Sequence, residues 1–319
     1  MPLDDKYPCA SVKSLSSFLQ GKTEGFSNCN PICPSAAFNH IYIAIPFYNI
    51  DSSTLNRSIQ SIKQQDYPKD RVTILIYDDA SNLATSNETL RHVCSDQVYE
   101  FQTPHSKSGS WADAHQILND LKLINGDRPN LLCFRSTEHL GPAGGKYWLL
   151  GIARSIAGLD DVVLILDGDD TLHNPQALKI VNQKYLDMPS WFTYGSYEGK
   201  YSDQVKDLTP AQRNGQEKFK PREGPWVYGH PRTFKAFLLD HVQMDDFKYS
   251  DGTWLKKSTD GAYVHRMMEL SGPDHIGYIP TKIYQYYFSN TQSTLRTVSK
   301  DERLRNDLHV RQMGPSEPL

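Results

Sequence analysis

The hydrophobic positions between residues 41 and 77 predict a strand, a helix and a second strand. An apolar run over 41–45 and another over 71–77 are typical of strands. Between them, apolar residues recur at i, i+4 and i+7, which places them on one helical face: Leu55, Ile59 and Ile62. Two strands separated by a helix predict a right-handed crossover connection and parallel pairing.

The alternation of strand and helix patterns continues along the chain. Strands are predicted at 97–102, 131–134, 162–166, 191–197 and 276–288, and helices at 113–123, 146–156, 175–186, 233–242 and 260–270. The segment 198–225 is polar and contains Gly and Pro, so it predicts a long loop of the kind that often carries function. This order of elements predicts an α/β sheet with helices on both faces.

The composition excludes several classes of protein. With 319 residues, 38% apolar residues and a formal net charge of −3, the chain can build a large core but lacks the basic field expected of a nucleic-acid binder. Apolar stretches stay well short of the ~20 residues that span a bilayer, and the start lacks an apolar signal core. We therefore predict a cytoplasmic protein, free or peripheral on a membrane. Its scattered cysteines are expected to be reduced thiols, without a zinc site.

Three regions are predicted along the chain. Residues 1–38 are rich in Ser, Pro, Asn and Cys without sustained periodicity, so we expect an N-terminal extension with little regular structure. Residues 39–295 form the predicted α/β domain, and 296–319 form a C-terminal tail.

The strand predicted at 162–166 is followed at once by carboxylates, at Asp167, Asp169 and Asp170. A buried apolar strand delivers them to the sheet edge where open α/β sheets bind ligands. Like charges this close repel, so a cation among them would stabilise the cluster, and oxygen ligands without Cys or His suit Mg²⁺ or Mn²⁺. The alternative is an acidic turn that caps the next helix.

A second acidic pair, Asp78 and Asp79, ends the strand at 71–77. Parallel strands bring both clusters to one edge, so we expect a shared crevice. A carboxylate of the early pair can accept hydrogen bonds from a base or ribose, while the later cluster binds a metal on a diphosphate. Tyr48, just after the first strand, could stack on a nucleobase or could be an ordinary loop aromatic. Together these features predict a nucleoside-diphosphate site.

The ordered segments Ile-Pro-Phe-Tyr-Asn at 45–49, Gln-Gln-Asp-Tyr-Pro at 64–68, Tyr-Asp-Asp-Ala-Ser at 77–81 and Leu-Asp-Gly-Asp-Asp at 166–170 resemble a family 2 glycosyltransferase of the GT-A fold. The resemblance covers roughly residues 40 to 290. It implies a Rossmann-like nucleotide-diphospho-sugar transferase sandwich with a mostly parallel central sheet, a nucleotide-sugar donor (most often a UDP-sugar), a divalent metal on the Asp-x-Asp motif, and inversion at the anomeric carbon.

The resemblance also assigns roles to residues. Pro46, Tyr48, Asp78 and Asp79 would line the base and ribose pocket, with Asp79 facing the base. Asp169 would be the direct metal ligand and Asp167 would reach the ribose or a metal water, and Asp170 is a further candidate metal ligand in this acidic cluster. Lys146 stands where the family carries an Arg-Asn pair, so it can neutralise phosphate only as a point charge.

Inversion needs a base to take the acceptor hydroxyl proton, and Asp260 is the candidate, with helix capping as the alternative. In the segment 229–234, His230 is a candidate ligand of the metal or contact of the acceptor, and Arg232 a candidate partner of the diphosphate. The alternatives are a surface-loop histidine and an arginine paired with an acidic neighbour. Aromatic residues near the loop and base could stack on an acceptor sugar or anchor the loop: Trp226, Tyr228 and Trp254.

The predicted function is a soluble, metal-dependent, inverting hexosyltransferase (EC 2.4) that moves a sugar to the hydroxyl of a glycan or other acceptor. A sugar-phosphate nucleotidyltransferase would carry a Gly-rich phosphate loop after the first strand, but 46–51 contains no Gly. A non-catalytic nucleotide- or carbohydrate-binding module stays an alternative. A processive membrane synthase is disfavoured because the chain lacks spanning segments and a Gln-x-x-Arg-Trp motif.

Overall fold

A computed structural model describes residues 38–94, 98–101, 112–120, 130–287 and 299–319. The strands are β1 (Ile41–Phe47), β2 (Val72–Asp78), β3 (Val98–Phe101), β4 (Leu131–Ser136), β5 (Val162–Ile165), β6 (Thr171–Leu172), β7 (Phe192–Glu198), β8 (Arg232–Lys235) and β9 (Ile276–Gln285). The α-helices are α1 (Ser52–Lys63), α2 (Leu83–Cys94), α3 (Ala112–Asp120), α4 (Gly141–Ile156), α5 (Ala177–Asp187), α6 (Pro210–Arg213), α7 (Thr259–Ser271) and α8 (Lys300–Gln312).

The strands form one sheet in the order β3-β4-β2-β1-β5-β8-β7-β9-β6. The half from β3 to β5 is parallel, with Ile41 in register with both Val72 and Val162. This arrangement confirms the predicted strand-helix-strand unit. Because β1, β2 and β5 run in the same direction, their carboxyl ends meet at one edge of the sheet.

The chain reverses direction at β8, which pairs antiparallel with β5 and with β7. The sequence predicts a helix over 233–242, and this prediction is wrong. Residues Arg232–Lys235 form the strand and Ala236–His241 form a 3₁₀ helix. Phe234 and Thr233 are both fully buried, so neighbouring residues on opposite faces of the sheet are covered, which a strand inside a sheet requires and a surface helix does not.

An N-cap residue positions the start of α1, and glycines position the start of α4. Asp51 caps α1 by accepting a hydrogen bond from the Thr54 backbone N–H, and Leu55, Ile59 and Ile62 are buried on one face as predicted. Helix α4 packs its glycine-rich first turns on the sheet. A Cβ added at Gly145 would lie 3.4 Å from the Tyr77 ring and 3.5 Å from Asp79 Cγ, so glycine allows the helix to approach the end of β2 closely.

The segment 299–319 packs against α7. Arg222, in the long loop, donates to both carboxylate oxygens of Glu269 on α7 and to the Val310 carbonyl on α8. The Ser316 backbone N–H donates to Glu269 as well. The predicted boundary at 295/296 and almost all of the predicted N-terminal extension lie outside the described residues.

A disulfide joins Cys94, at the end of α2, to Cys133 in β4. The expectation that the thiols are all reduced is therefore wrong for this pair. The cysteines lie 39 residues apart, and the fold brings their Cα atoms to 6.2 Å, which a disulfide bridges readily. Within the described residues, every helix is too short or too polar to cross a membrane.

Candidate functional site

The acidic turn Asp167 to Asp170 follows β5, as predicted, and is held from several directions. Its glycine is tightly enclosed, because a Cβ at Gly168 would lie 3.0 Å from Phe47 Cβ and 3.2 Å from the Pro46 carbonyl oxygen. The turn therefore lies against the carboxyl end of β1.

Asp170 is fully buried, and both of its carboxylate oxygens accept hydrogen bonds. Tyr284 Oη donates to one oxygen at 2.7 Å, and the Tyr287 backbone N–H donates to the other at 2.8 Å. Burial, together with the charges of Asp167 and Asp169, raises the pKa of Asp170 to about 9. Because both carboxylate oxygens are already hydrogen-bonded, Asp170 is suited to holding the turn in place and poorly suited to binding a metal.

Arg57, on α1, contacts the same turn. Its Nη2 donates to the Asp169 backbone carbonyl at 2.9 Å, and its guanidinium lies 4.1 Å from the centroid of the Tyr287 ring. No sequence pattern predicts this contact, because it joins positions 112 residues apart.

Asp78 and Asp79 end β2 and have different environments. Asp78 is fully buried and accepts a hydrogen bond from the Ser81 backbone N–H, with Arg135 Nε 3.8 Å away. Asp79 accepts hydrogen bonds from the backbone N–H groups of Leu140 and Gly141, at the start of α4. Asp78 therefore shapes the turn, while Asp79 joins the strand end to the helix.

His139 was not singled out by the sequence, yet it completes this corner. Its Nδ1 lies 2.9 Å from Asp79 Oδ2, and its ring stacks on Tyr48 with centroids 3.8 Å apart. The hydrogen bond to Asp79 raises the pKa of His139, while burial raises the pKa of Asp79. Tyr48 is 40% exposed, so the ring is available to a planar ligand, next to Pro46 at the end of β1.

Asp260 lies in the first turn of α7 and pairs with two cations. Lys146 Nζ lies 2.5 Å from Oδ1, and Arg232 Nη1 donates to Oδ2 at 2.8 Å. Burial opposes ionisation of Asp260, but the charges of Lys146 and Arg232 outweigh it and hold its pKa well below the usual range. The capping alternative is wrong, because Ser258 is the N-cap residue and Asp260 bonds to side chains instead.

Lys146 lies between Asp167 and Asp260. Its Nζ lies 3.6 Å from Asp167 Oδ1 as well as next to Asp260, and the preceding residue, Gly145, packs against Asp79. Burial lowers the pKa of Lys146, but the charges of Asp167 and Asp260 more than compensate and raise it. Asp79 after β2 and Asp167 after β5 therefore both contact the first turns of α4.

His230 is buried, so the alternative of a surface-loop histidine is wrong. Its ring stacks on Tyr284 with centroids 4.7 Å apart, and its Nδ1 lacks a hydrogen-bond partner among the described residues. Burial, with help from the Arg232 charge, lowers the pKa of His230 to about 3, so the ring is neutral near pH 7. A neutral buried ring with a spare nitrogen can serve as a ligand.

The predicted acceptor aromatics occupy different positions. Trp226 packs edge-on against Tyr228, which is buried, and Arg232 lies 5.1 Å from the Trp226 ring centroid. Trp254 lies against Tyr147 of α4. These contacts favour anchoring of the long loop and of Arg232, which is the second of the alternatives considered from the sequence.

The donor set suits a divalent cation that takes only part of its shell from the protein. Among the described residues, three or more His, Cys, Asp or Glu side chains nowhere converge into a complete metal cage. Asp167 is partly exposed and Asp169 follows it by two residues. Mg²⁺ typically binds through one or two carboxylates and completes its shell with water and phosphate, so the residues fit that mode.

Comparisons with known proteins bear on the fold. No family model matches the chain, and no curated protein matches it. Among solved structures, the mannosyltransferase PcManGT from Pyrobaculum calidifontis in complex with GDP-Man and Mn²⁺ matches with a TM-score of 0.54 at 16% identity, over 88% of this chain and 66% of that chain. The fold is that of a GT-A glycosyltransferase. This confirms the predicted α/β class with a mostly parallel sheet.

Two further structures match at lower TM-scores. Glucosyl-3-phosphoglycerate synthase from Mycobacterium tuberculosis, with Mn²⁺, UDP and phosphoglyceric acid, matches with a TM-score of 0.49 at 12% identity, over 88% of this chain and 82% of that chain. S. aureus TarS 1-349 in complex with UDP-GlcNAc matches with a TM-score of 0.46 at 16% identity, over 83% of this chain. The chain spans 59% to 64% of the length of the TarS 1-349 structures.

Proposed function

We propose that this protein is a metal-dependent, inverting glycosyltransferase that moves a hexose from a nucleotide sugar, most readily a UDP-sugar, to an acceptor hydroxyl. The observation that carries the proposal is the position of Lys146, between Asp167 at the end of β5 and Asp260 on α7. A diphosphate in this crevice would lie beside a cation, with a metal-binding turn on one side and a carboxylate for proton transfer on the other. The GT-A fold supports this assignment.

The donor half of the proposed site divides between base and phosphate. Tyr48 offers an exposed ring face for a nucleobase, and the Asp79–His139 pair lies at its edge. Asp167 and Asp169 would hold Mn²⁺ or Mg²⁺, with His230 as a further candidate ligand. When bound, the metal would neutralise charge on the leaving diphosphate.

The acceptor half is built around Asp260. In the proposed reaction, the acceptor oxygen attacks the anomeric carbon from the face opposite the departing nucleoside diphosphate, and Asp260 takes the hydroxyl proton. The carboxylate is 27% exposed, so an acceptor can reach it. Arg232, at 4% exposure, fixes the orientation of the carboxylate from the buried side.

The double pairing of Asp260 also favours a second candidate function. A carboxylate held by two cations is a weak proton acceptor, and a protein that kept it so would bind nucleotide without transferring sugar. Turnover separates the two functions. Binding of nucleotide without any turnover would favour the binding module.

The direct test is a panel of nucleotide sugars assayed for release of free nucleotide, with and without Mn²⁺. We expect metal-dependent turnover with at least one donor, and the anomeric configuration of the product, read by NMR, tests inversion. Asp169→Ala should abolish turnover with the fold intact by circular dichroism. Asp240→Asn is the matched control because Asp240 pairs with Arg154 near the far end of α4. Full activity of Asp169→Ala would contradict the metal assignment.

A further inference from the structure

The two cations on Asp260 are held in different ways. Arg232 is anchored, since its Nε donates to the Tyr228 carbonyl at 3.1 Å and its guanidinium lies 5.1 Å from the Trp226 ring centroid. Lys146 is held by carboxylates, with its Nζ 2.5 Å from Asp260 and 3.6 Å from Asp167. A lysine ammonium is a point charge on a flexible stem, so it can change partners within a small volume without rebuilding the site.

We propose that Lys146 is a shared cation that moves from Asp260 to the donor diphosphate during the reaction, so that Asp260 competes with the diphosphate for it in the resting protein. This inference rests on the proposed function. It assigns Lys146 a role that couples departure of the nucleotide to activation of the base, and it leaves Arg232 as the fixed partner that orients Asp260.

The charges explain why the exchange would be timed to the chemical step. As the bond between the anomeric carbon and the phosphate oxygen breaks, its electron pair stays on the diphosphate, which gains a further negative charge and attracts Lys146 more strongly. In the same step the acceptor oxygen bonds to the anomeric carbon and its proton passes to Asp260. Because the Lys146 ammonium has moved away from Asp260, the Asp260 carboxylate is a better proton acceptor at that moment.

A metal bound to the acidic turn would also favour movement of Lys146 toward the diphosphate. In the resting protein Lys146 neutralises part of the charge of Asp167. A divalent cation bound through Asp167 or Asp169 would take over that neutralisation and repel the ammonium. Lys146 would then be free to follow the phosphate.

The test is the affinity for UDP in the presence of Mn²⁺, measured by calorimetry on the full chain. UDP represents the leaving group after the sugar bond has broken. If Asp260 competes for Lys146, Asp260→Asn should bind UDP roughly tenfold more tightly than the unsubstituted protein, about 1.4 kcal/mol. The control Asp240→Asn removes an ion-paired aspartate outside the crevice and should bind UDP as the unsubstituted protein does. Equal or weaker binding by Asp260→Asn would overturn the proposal.

A double-variant cycle identifies the cation. In a Lys146→Met background the gain from Asp260→Asn should disappear, whereas a gain that persists would show that Lys146 is not the shared group. If Asp260→Asn does not fold, a crystal structure of the unsubstituted protein with UDP and Mn²⁺ decides the matter. Lys146 Nζ should then contact a phosphate oxygen and no longer Asp260, and retention of the resting pair would overturn the exchange. Failure of the unsubstituted protein to bind nucleotide would instead count against the proposed function.

Discussion

Tyr284 on β9 links the two ends of the acidic turn. Its Oη donates to Asp170 at 2.7 Å and accepts a hydrogen bond from the Asp167 backbone N–H at 3.3 Å. A single buried hydroxyl thus sets the spacing between the backbone of the first acid of the turn and the carboxylate of the last. Of the proposed metal ligands in this turn, Asp167 is one of these anchor points and Asp169 lies between the two.

Tyr284→Phe should therefore loosen the turn. We expect a loss of about 1–3 kcal/mol in the free energy of unfolding, because a buried Asp170 oxygen loses its donor, and weaker UDP binding in Mn²⁺. The control is Tyr67→Phe, which removes a hydroxyl bonded at 2.7 Å to the Asn39 carbonyl, before the start of β1. Urea unfolding and calorimetry measure both effects. If Tyr284→Phe loses as much stability as Tyr67→Phe but still binds UDP normally, the result would contradict a role for Tyr284 in the site.

The Asp79–His139 pair predicts a pH dependence of stability. Its hydrogen bond to Asp79 raises the pKa of His139 above 6.5, so its contribution is fully present below that pH and is lost as pH rises through the raised value. As the pH rises above 6.5, the free energy of unfolding should fall by more in the unsubstituted protein than in His139→Gln, which cannot titrate. If urea unfolding shows that both proteins lose the same stability as the pH rises, His139 is not the source of the pH dependence.

The Cys94–Cys133 disulfide should contribute to stability through the unfolded chain. It closes a loop of 39 residues, for which the chain-entropy relation gives about 3–4 kcal/mol. Reduction by dithiothreitol is expected to lower the free energy of unfolding by about this amount. The double variant Cys94→Ala and Cys133→Ala should be insensitive to the reductant, which controls for its other effects. Identical unfolding of the oxidised and reduced protein would contradict a stabilising role for the bridge.

A side chain at Gly168 should crowd its neighbours. A Cβ there would lie 3.0 Å from Phe47 Cβ and 3.1 Å from Ile50 Cδ1, so Gly168→Ala should cost about 1–3 kcal/mol and displace the acidic turn. Gly224→Ala is the matched control because a Cβ at that position meets nothing within 4 Å. Thermal unfolding and Mn²⁺-dependent UDP binding compare the two variants. Equal behaviour of both would mean that the turn adjusts freely.

The parallel half of the fold could be predicted from the sequence because its signals are local. The strands β2 and β5 are short apolar runs that lead into carboxylates, and their parallel direction places Asp79 and Asp167 at one edge of the sheet. The antiparallel part was harder to predict. Strand β8 reads Arg-Thr-Phe-Lys and so has only one apolar residue, while the apolar run that follows it, Ala-Phe-Leu-Leu at 236–239, has no periodicity that separates a strand from a buried helix.

Partners distant in sequence could not be predicted from one chain. His139 and Asp79 are 60 residues apart in the sequence, and Lys146 and Asp260 are 114 apart. Local sequence spacing therefore predicts neither pair. The sequence identified the acids and cations as candidates but not which of them neutralise each other. The same holds for Cys94 and Cys133, where the assumed reducing compartment favoured free thiols.

The contacts of Arg222 have a practical consequence for anyone who shortens this protein. This side chain binds Glu269 on α7, the helix whose first turn carries Asp260, and also the Val310 carbonyl on α8. Removing the last twenty residues would leave the buried Arg222 guanidinium with one acceptor fewer. It would also expose part of α7, the helix that carries the proposed base. Truncated versions designed for crystallisation are therefore expected to lose catalysis before they lose nucleotide affinity.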